Sequence, residues 1–376
     1  MHKRPAVRGF VRGFALVFFP VIYSCQPELP EAREVYLDQT ALQADYAVGV
    51  KNEVPALGRV LFYDKQMSIN NSISCASCHK QSLAFADNVS LSRGFENRLT
   101  ARNSMPIQNL LGNNFSKPDS IGQGFFPSQS QPLFWDGRET NLELMVMRPV
   151  VNHVEMGITS LEQLEDKIST VPYYNDLFLK AYGSDEITAA KIAHALSLFL
   201  QSIRSRNTKF DQSIRFDRDG VSLSGFELLG QKLFIEKYDC NSCHQVQSPH
   251  GYLQPQAGIF SNIGLDAAYA DNGLGQVTRH ETNNGMFKIP SLRNVALTAP
   301  YMHDGRFETL SDVIDHYSDG LANHPNLDQR LRDTNGNPLR LNISANEKHA
   351  IISFLNTLTD HEMITDPKFS DPFKSK

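Results

Sequence analysis

Cysteine is scarce in this chain: five occur among 376 residues. Tryptophan occurs once, at Trp135, and no histidine lies between His79 and His153. Basic residues are in deficit, with 36 Lys and Arg against 41 Asp and Glu, and loss of residues 1–24 would leave 32 against 41. That balance argues against nucleic acid as a partner and suits electrostatic steering of a basic protein. Past the amino terminus no apolar run is long enough to cross a bilayer, which excludes a later spanning helix. No βαβ pattern surrounds any cysteine pair, so a thioredoxin-like redox site is disfavoured.

What is present is concentrated. Four of the five cysteines fall in two copies of one pattern: "SCASCHK", with Cys75, Cys78 and His79, and "DCNSCHQ", with Cys240, Cys243 and His244. C-x-x-C-H is the spacing of covalent haem attachment, in which two thiols bond the porphyrin vinyl groups and the following imidazole ligates iron. Two covalent haem c groups, with His79 and His244 as proximal ligands, are the leading reading. A four-cysteine zinc site is the alternative, and it leaves both histidines without a task.

The fifth cysteine belongs to an address. Lys3, Arg4, Arg8 and Arg12 precede an apolar run from Phe14 to Tyr23, the grammar of an export signal and too short to span a membrane. "IYSC" resembles a bacterial lipobox, with Tyr23 a poor fit at its position. Residues 1–24 therefore read as a lipoprotein-type signal peptide, with Cys25 lipidated, residues 25–50 a tether, and the protein periplasmic and held to the membrane by its acyl chains. Ordinary cleavage leaving a spare thiol is the alternative.

The fold reads as mainly α, with one haem motif in each half: an amino-terminal haem c domain over 51–218, a second over 219–365, a seam between them, long loops, and a tail at 366–376. Capping boxes are expected at Thr159 with Glu162, Ser224 with Glu227 and Ser344 with Glu347. The strongest helical periodicity runs from Ile187 to Arg204, and a further helix from Phe226 to about Lys237 leads to the second motif. Segments 93–132 and 248–285, rich in Gly, Asn, Ser and Gln, read as loops around the haem faces.

In this order, "ALGRVLFYDKQMSINNSISCASCH", "RNSMP", "LFWDGRETNLE", "NHVEMG" and "FKIPSLRNVALTAPYMHDGRFETL" resemble the bacterial dihaem cytochrome c peroxidase and MauG family over nearly the whole mature chain. The resemblance implies that the first haem reacts with H2O2 and the second relays electrons from a cytochrome c or similar donor. Carried across by motif, Glu155 is the distal acid–base group, Trp135 lies between the haems, and Asn103, Thr298 and Pro300 contact calcium. Two alternatives remain open, namely MauG-like oxidation of side chains in a partner protein and a dihaem electron carrier that is not an enzyme.

Three departures qualify the resemblance. Many members block the peroxide site with a histidine whose position here falls near Phe95, so the first haem is expected to be open. Where classical members supply a methionine to the second haem, the aligned residue is Tyr317, with Met302 or His316 as competitors; His303 matches a histidine that is not a ligand. Met145 replaces a glutamine beside the peroxide pocket. His153, two residues before Glu155, is expected at the surface.

Overall fold

The computed structural model describes Met1 and residues 52–110, 132–214, 221–245 and 260–373. The signal peptide, Cys25, the tether and the proposed boundary at 218/219 lie outside the described residues. From residue 52 onward the described chain belongs to one compact unit.

Helices carry the architecture: α1 Glu53–Tyr63, α2 Cys75–Cys78, α3 Leu142–Met147, α4 Leu161–Ser169, α5 Pro172–Tyr182, α6 Ala189–Ser202, α7 Lys209–Ile214, α8 Gly225–Lys232, α9 Leu274–Thr278, α10 Leu310–Asp315 and α11 Ala345–Asn356. The one sheet among the described residues is a two-stranded antiparallel pair, β1 Phe260–Ser261 with β2 Phe287–Lys288, Phe260 opposite Lys288. The apolar residues form two buried clusters. One runs from Val54 to Ile203 with Met363 and Phe369, the other from Phe210 to Leu358.

The same helix crossing builds both clusters. On α1, Gly58 lies so close to α6 that a Cβ there would stand 2.0 Å from the Ala195 carbonyl oxygen. On α8, Gly230 meets α11 the same way, at 1.9 Å from the Ala350 oxygen. Only glycine permits such a backbone approach. Four residues after each glycine a phenylalanine faces the partner helix, Phe62 with Phe199 at 5.3 Å between centroids and Phe234 with Phe354 at 5.5 Å. The chain thus carries a structural repeat, each copy leading from its glycine helix into one C-x-x-C-H motif.

The helix starts follow local chemistry. Ser224 with Glu227 and Ser344 with Glu347 form reciprocal capping boxes. At α4 the expected Thr159 box is replaced: Ser160 is the cap, its hydroxyl accepting from the Gln163 amide, while Thr159 bonds the Gln163 side chain. A one-residue shift satisfies the same free amides. The 248–285 segment is less loop-like than expected in its described part, because α9 and β1 lie within it. Both are too short to show periodicity in sequence. The carboxy-terminal segment packs on the first cluster, where Phe369 is buried, Arg59 Nε donates to Ser370 O at 2.6 Å and Tyr63 Oη donates to Phe369 O at 2.6 Å.

Candidate active site

The two attachment motifs sit in different cores, Cys75 against the first cluster and Cys240 against the second. Among the described residues no three His, Cys, Asp or Glu gather closely enough to hold a metal ion, so the cysteines do not form one zinc site. Burial pushes the Cys75 thiol up to about 12, Cys78 to about 11 and Cys240 to about 12. A redox dithiol requires the opposite shift.

Both motif histidines are oriented alike. His79 Nδ1 donates to the Phe85 carbonyl at 2.8 Å, and His244 Nδ1 donates to the Pro290 carbonyl at 3.1 Å. Such a bond fixes the tautomer that leaves Nε2 to bind metal. Burial keeps each imidazole neutral, lowering His79 and bringing His244 down to about 4. His79 lines a cavity of about 710 Å3, its solvent-open mouth included, together with Phe62, Cys75, Cys78, Met145, Glu155 and Leu196 among others. Two thiols, an imidazole oriented through its Nδ1 and a largely apolar cavity fit a covalent haem.

Glu155 enters that cavity from the turn that follows α3. The turn is closed by the Asn152 carbonyl, which accepts from the amides of Glu155, Met156 and Gly157, and Asn152 Nδ2 donates to Glu155 Oε1 at 2.7 Å. Gly157 has φ +76°, and a Cβ there would meet the Phe95 ring and Ile69 at 2.9 Å. Burial raises the Glu155 carboxyl, while Arg138 and the Asn152 donor pull it back. A carboxyl whose pKa is raised by burial suits proton transfer. Phe95 sits beside it with no ligating atom: its amide donates to Glu155 O at 2.8 Å. Neighbouring Gly94 approaches Val154 O so closely that a Cβ would lie 2.2 Å away. His153 is exposed and Met145 lines the cavity.

Trp135 bridges the two halves through its backbone and ring. Its Nε1 donates to Asn103 O at 2.9 Å, and its carbonyl accepts from the Lys288 amide at 2.8 Å, two residues before Pro290, which holds His244. Arg102 fastens the same place, bonding Asp136 Oδ2 at 2.6 Å and Asp271 through two contacts of 2.7 and 2.8 Å. Sequence reasoning missed this network and also missed Asn152, although "RNSMP" and "NHVEMG" contain both anchors.

Asn103 uses Nδ2 on the Val89 and Ser90 carbonyls, and its amide donates to His303 O at 2.8 Å. That places Asn103 against the turn that begins at Pro300, with Thr298 just before it. His303 is buried, stacked on Phe287 at 3.7 Å, and its Nδ1 has no hydrogen-bond partner among the described residues.

Tyr317 belongs to the wide turn His316–Gly320 that continues α10. Burial, then the charges of nearby Cys243 and Cys240, raise its phenol. His316 is committed elsewhere, its Nε2 donating to Ile263 O at 2.9 Å. Met302 has φ +76° in the turn before His303.

A family profile described as di-haem cytochrome c peroxidase matches residues 52–219. Cytochrome c551 peroxidase of Nitrosomonas europaea is 30% identical over 82% of this chain and 80% of its own length. The chain belongs to the di-haem cytochrome c peroxidase family. Methylamine utilization protein MauG of Methylorubrum extorquens is 31% identical over 81% of this chain and 78% of its own. In three dimensions a crystallised MauG-like protein associated with microbial copper homeostasis superposes with a TM-score of 0.70, at 30% identity, over 92% of this chain and 99% of the other. As a di-haem cytochrome c peroxidase family member the chain carries two c-type haems, in agreement with its two attachment motifs.

Proposed function

We propose that this protein reduces H2O2 to water at the His79 side, drawing electrons from a cytochrome c or similar donor through the His244 side. The observation that carries the reading is Glu155, a half-buried carboxyl of raised pKa that lines the same cavity as His79 and the two cysteines. When bound, the two haems supply the iron that receives peroxide and the redox couple that accepts donor electrons. Glu155 takes the proton from the near oxygen of peroxide and returns it to the far one. Asn152 holds the carboxylate in place, and Met145 belongs to the largely apolar wall of the cavity. Trp135, hydrogen-bonded on both sides of the seam, carries electrons between the halves.

Tyr317 is the proposed second-side iron ligand, since it lies near enough to Cys240 and Cys243 for their charges to act on its phenol while the competing His316 is tied to Ile263. The same tyrosine favours a second reading, oxidation of side chains in a partner protein, because a phenolate stabilises high oxidation states. Calcium is proposed at Asn103, Thr298 and Pro300, where Asn103 Oδ1 is left free of the carbonyl contacts made by Nδ2. Cys25 is the proposed lipid attachment, with the protein periplasmic and membrane-anchored. Replacing Glu155 by Gln tests the central step. The reaction of oxidised protein with H2O2 should slow by about a hundredfold or more, the usual scale for a lost acid–base group, with both haems retained. An unchanged rate would remove Glu155 from the mechanism.

A further inference from the structure

A second set of oxidisable side chains lies in the first core, apart from Trp135. Asp64 follows α1 and is buried. Its Oδ1 accepts from the Gln66 amide, and its Oδ2 accepts from both Tyr173 Oη, at 2.5 Å, and Tyr174 Oη, at 2.7 Å. The two rings stand 4.8 Å apart. Tyr174 is fully buried in the cluster against which Cys75 packs, and Cys75 is among the groups that oppose its ionisation. From Tyr174 the aromatic contacts run outward along α5, to Phe178 at 6.2 Å and on to Tyr182 at 6.0 Å. Tyr182 is half-buried, and its hydroxyl lies 2.8 Å from Lys191 O and 3.1 Å from His194 Nδ1.

A buried phenol needs only one acceptor, and a backbone carbonyl satisfies it. Here the acceptor shared by Tyr173 and Tyr174 is the Asp64 carboxylate, a group that can also take a proton, while at the outer end the Tyr182 hydroxyl donates to the Lys191 carbonyl with His194 Nδ1 beside it. A phenol loses its proton when it loses an electron, so a base at hydrogen-bond distance is what a redox-active tyrosine requires. We infer that Tyr174, with Tyr173 and Tyr182, forms a path by which oxidising equivalents leave the first haem site when no electron donor is docked.

The step balances within the reaction already proposed, on which it rests. H2O2 takes up two electrons and two protons to give two waters. Of those electrons one would come from the first haem once bound and one from Tyr174, whose phenolic proton passes to Asp64 Oδ2 and leaves a neutral tyrosyl radical, while the two protons that complete the waters come from solvent. Tyr182 then returns an electron to Tyr174, Asp64 returns the proton, and half-buried Tyr182 loses its own proton to solvent.

The test uses the full holoprotein, fully oxidised, mixed with H2O2 without a donor and freeze-quenched for electron paramagnetic resonance. Wild type should show a tyrosyl signal whose hyperfine pattern collapses when the protein is grown on ring-deuterated tyrosine. Tyr173→Phe with Tyr174→Phe should abolish it while the haem absorption still responds to H2O2. Tyr182→Phe, at a half-exposed site that tolerates the change, should keep the signal and slow its decay. A normal haem response with no tyrosyl signal, or with one indifferent to Tyr173 and Tyr174, overturns the path alone. Absence of any haem response overturns the peroxide reaction and the path together.

Discussion

Replacing Asn152 shifts the pH at which the enzyme works, without touching haem attachment. Asn152 Nδ2 donates to Glu155 Oε1 at 2.7 Å, and this bond favours the ionised carboxylate against the burial that opposes it. A hydrogen bond to a charged group is worth about 1.5–3 kcal/mol. At about 1.4 kcal/mol per unit, its loss raises the Glu155 pKa by about one to two units, less whatever an entering water restores. Glu155 accepts the peroxide proton only when ionised, so the rate falls as pH drops through that pKa. In Asn152→Ala the acid limb of the pH–rate profile should therefore move up by about one unit. Asn152 Oδ1 also accepts from the Val154 amide at 2.8 Å, so the alanine variant loosens the turn as well. Asn152→Asp separates the effects: it keeps that acceptor and puts a second carboxylate beside Glu155, which should move the limb further in the same direction. The assay is the stopped-flow rate of oxidised protein with H2O2 from about pH 4 to about pH 9. An acid limb unmoved in Asn152→Ala, or moved downward in Asn152→Asp, would refute the role given to Glu155.

Tyr317→Phe should leave the His79 side reactive while changing the spectrum and raising the potential of the second haem. An unaltered low-spin spectrum would move the ligand to Met302 or another residue. Cys25→Ser should release the protein from the membrane fraction with both haems in place, and a mature chain beginning beyond Cys25 would show that no lipid is attached there.

The chemistry of this protein was legible wherever it is local. A C-x-x-C-H run positions two thiols and an imidazole by its own spacing, and the boxes at Ser224 and Ser344 close within four residues. The long helix expected over Ile187–Arg204 forms over Ala189–Ser202, because a sustained apolar face needs no distant information. What stayed hidden depends on partners far along the chain. "ALGRVLF" and "LLGQKLF" look alike, yet the meaning of Gly58 and Gly230 appears only when Ala195 and Ala350 are seen against them. Phe369 likewise reads as a tail residue until it is found in the first core. Asn152 and Asp64 were passed over because a lone polar residue carries no pattern, and its role is set by the atom it holds.

The central claim is that the His79 side is open to peroxide in the fully oxidised protein. Phe95 offers no ligating atom, and its amide is bonded to the Glu155 carbonyl, so the segment that would carry a blocking group is occupied in holding the turn that carries Glu155. The direct measurement is the absorption change on mixing untreated, fully oxidised holoprotein with H2O2 in a stopped-flow instrument. The account predicts an immediate change in the haem bands with consumption of peroxide. Protein that stays inert to H2O2 until one electron is added would contradict it, and would mean that another residue closes the site.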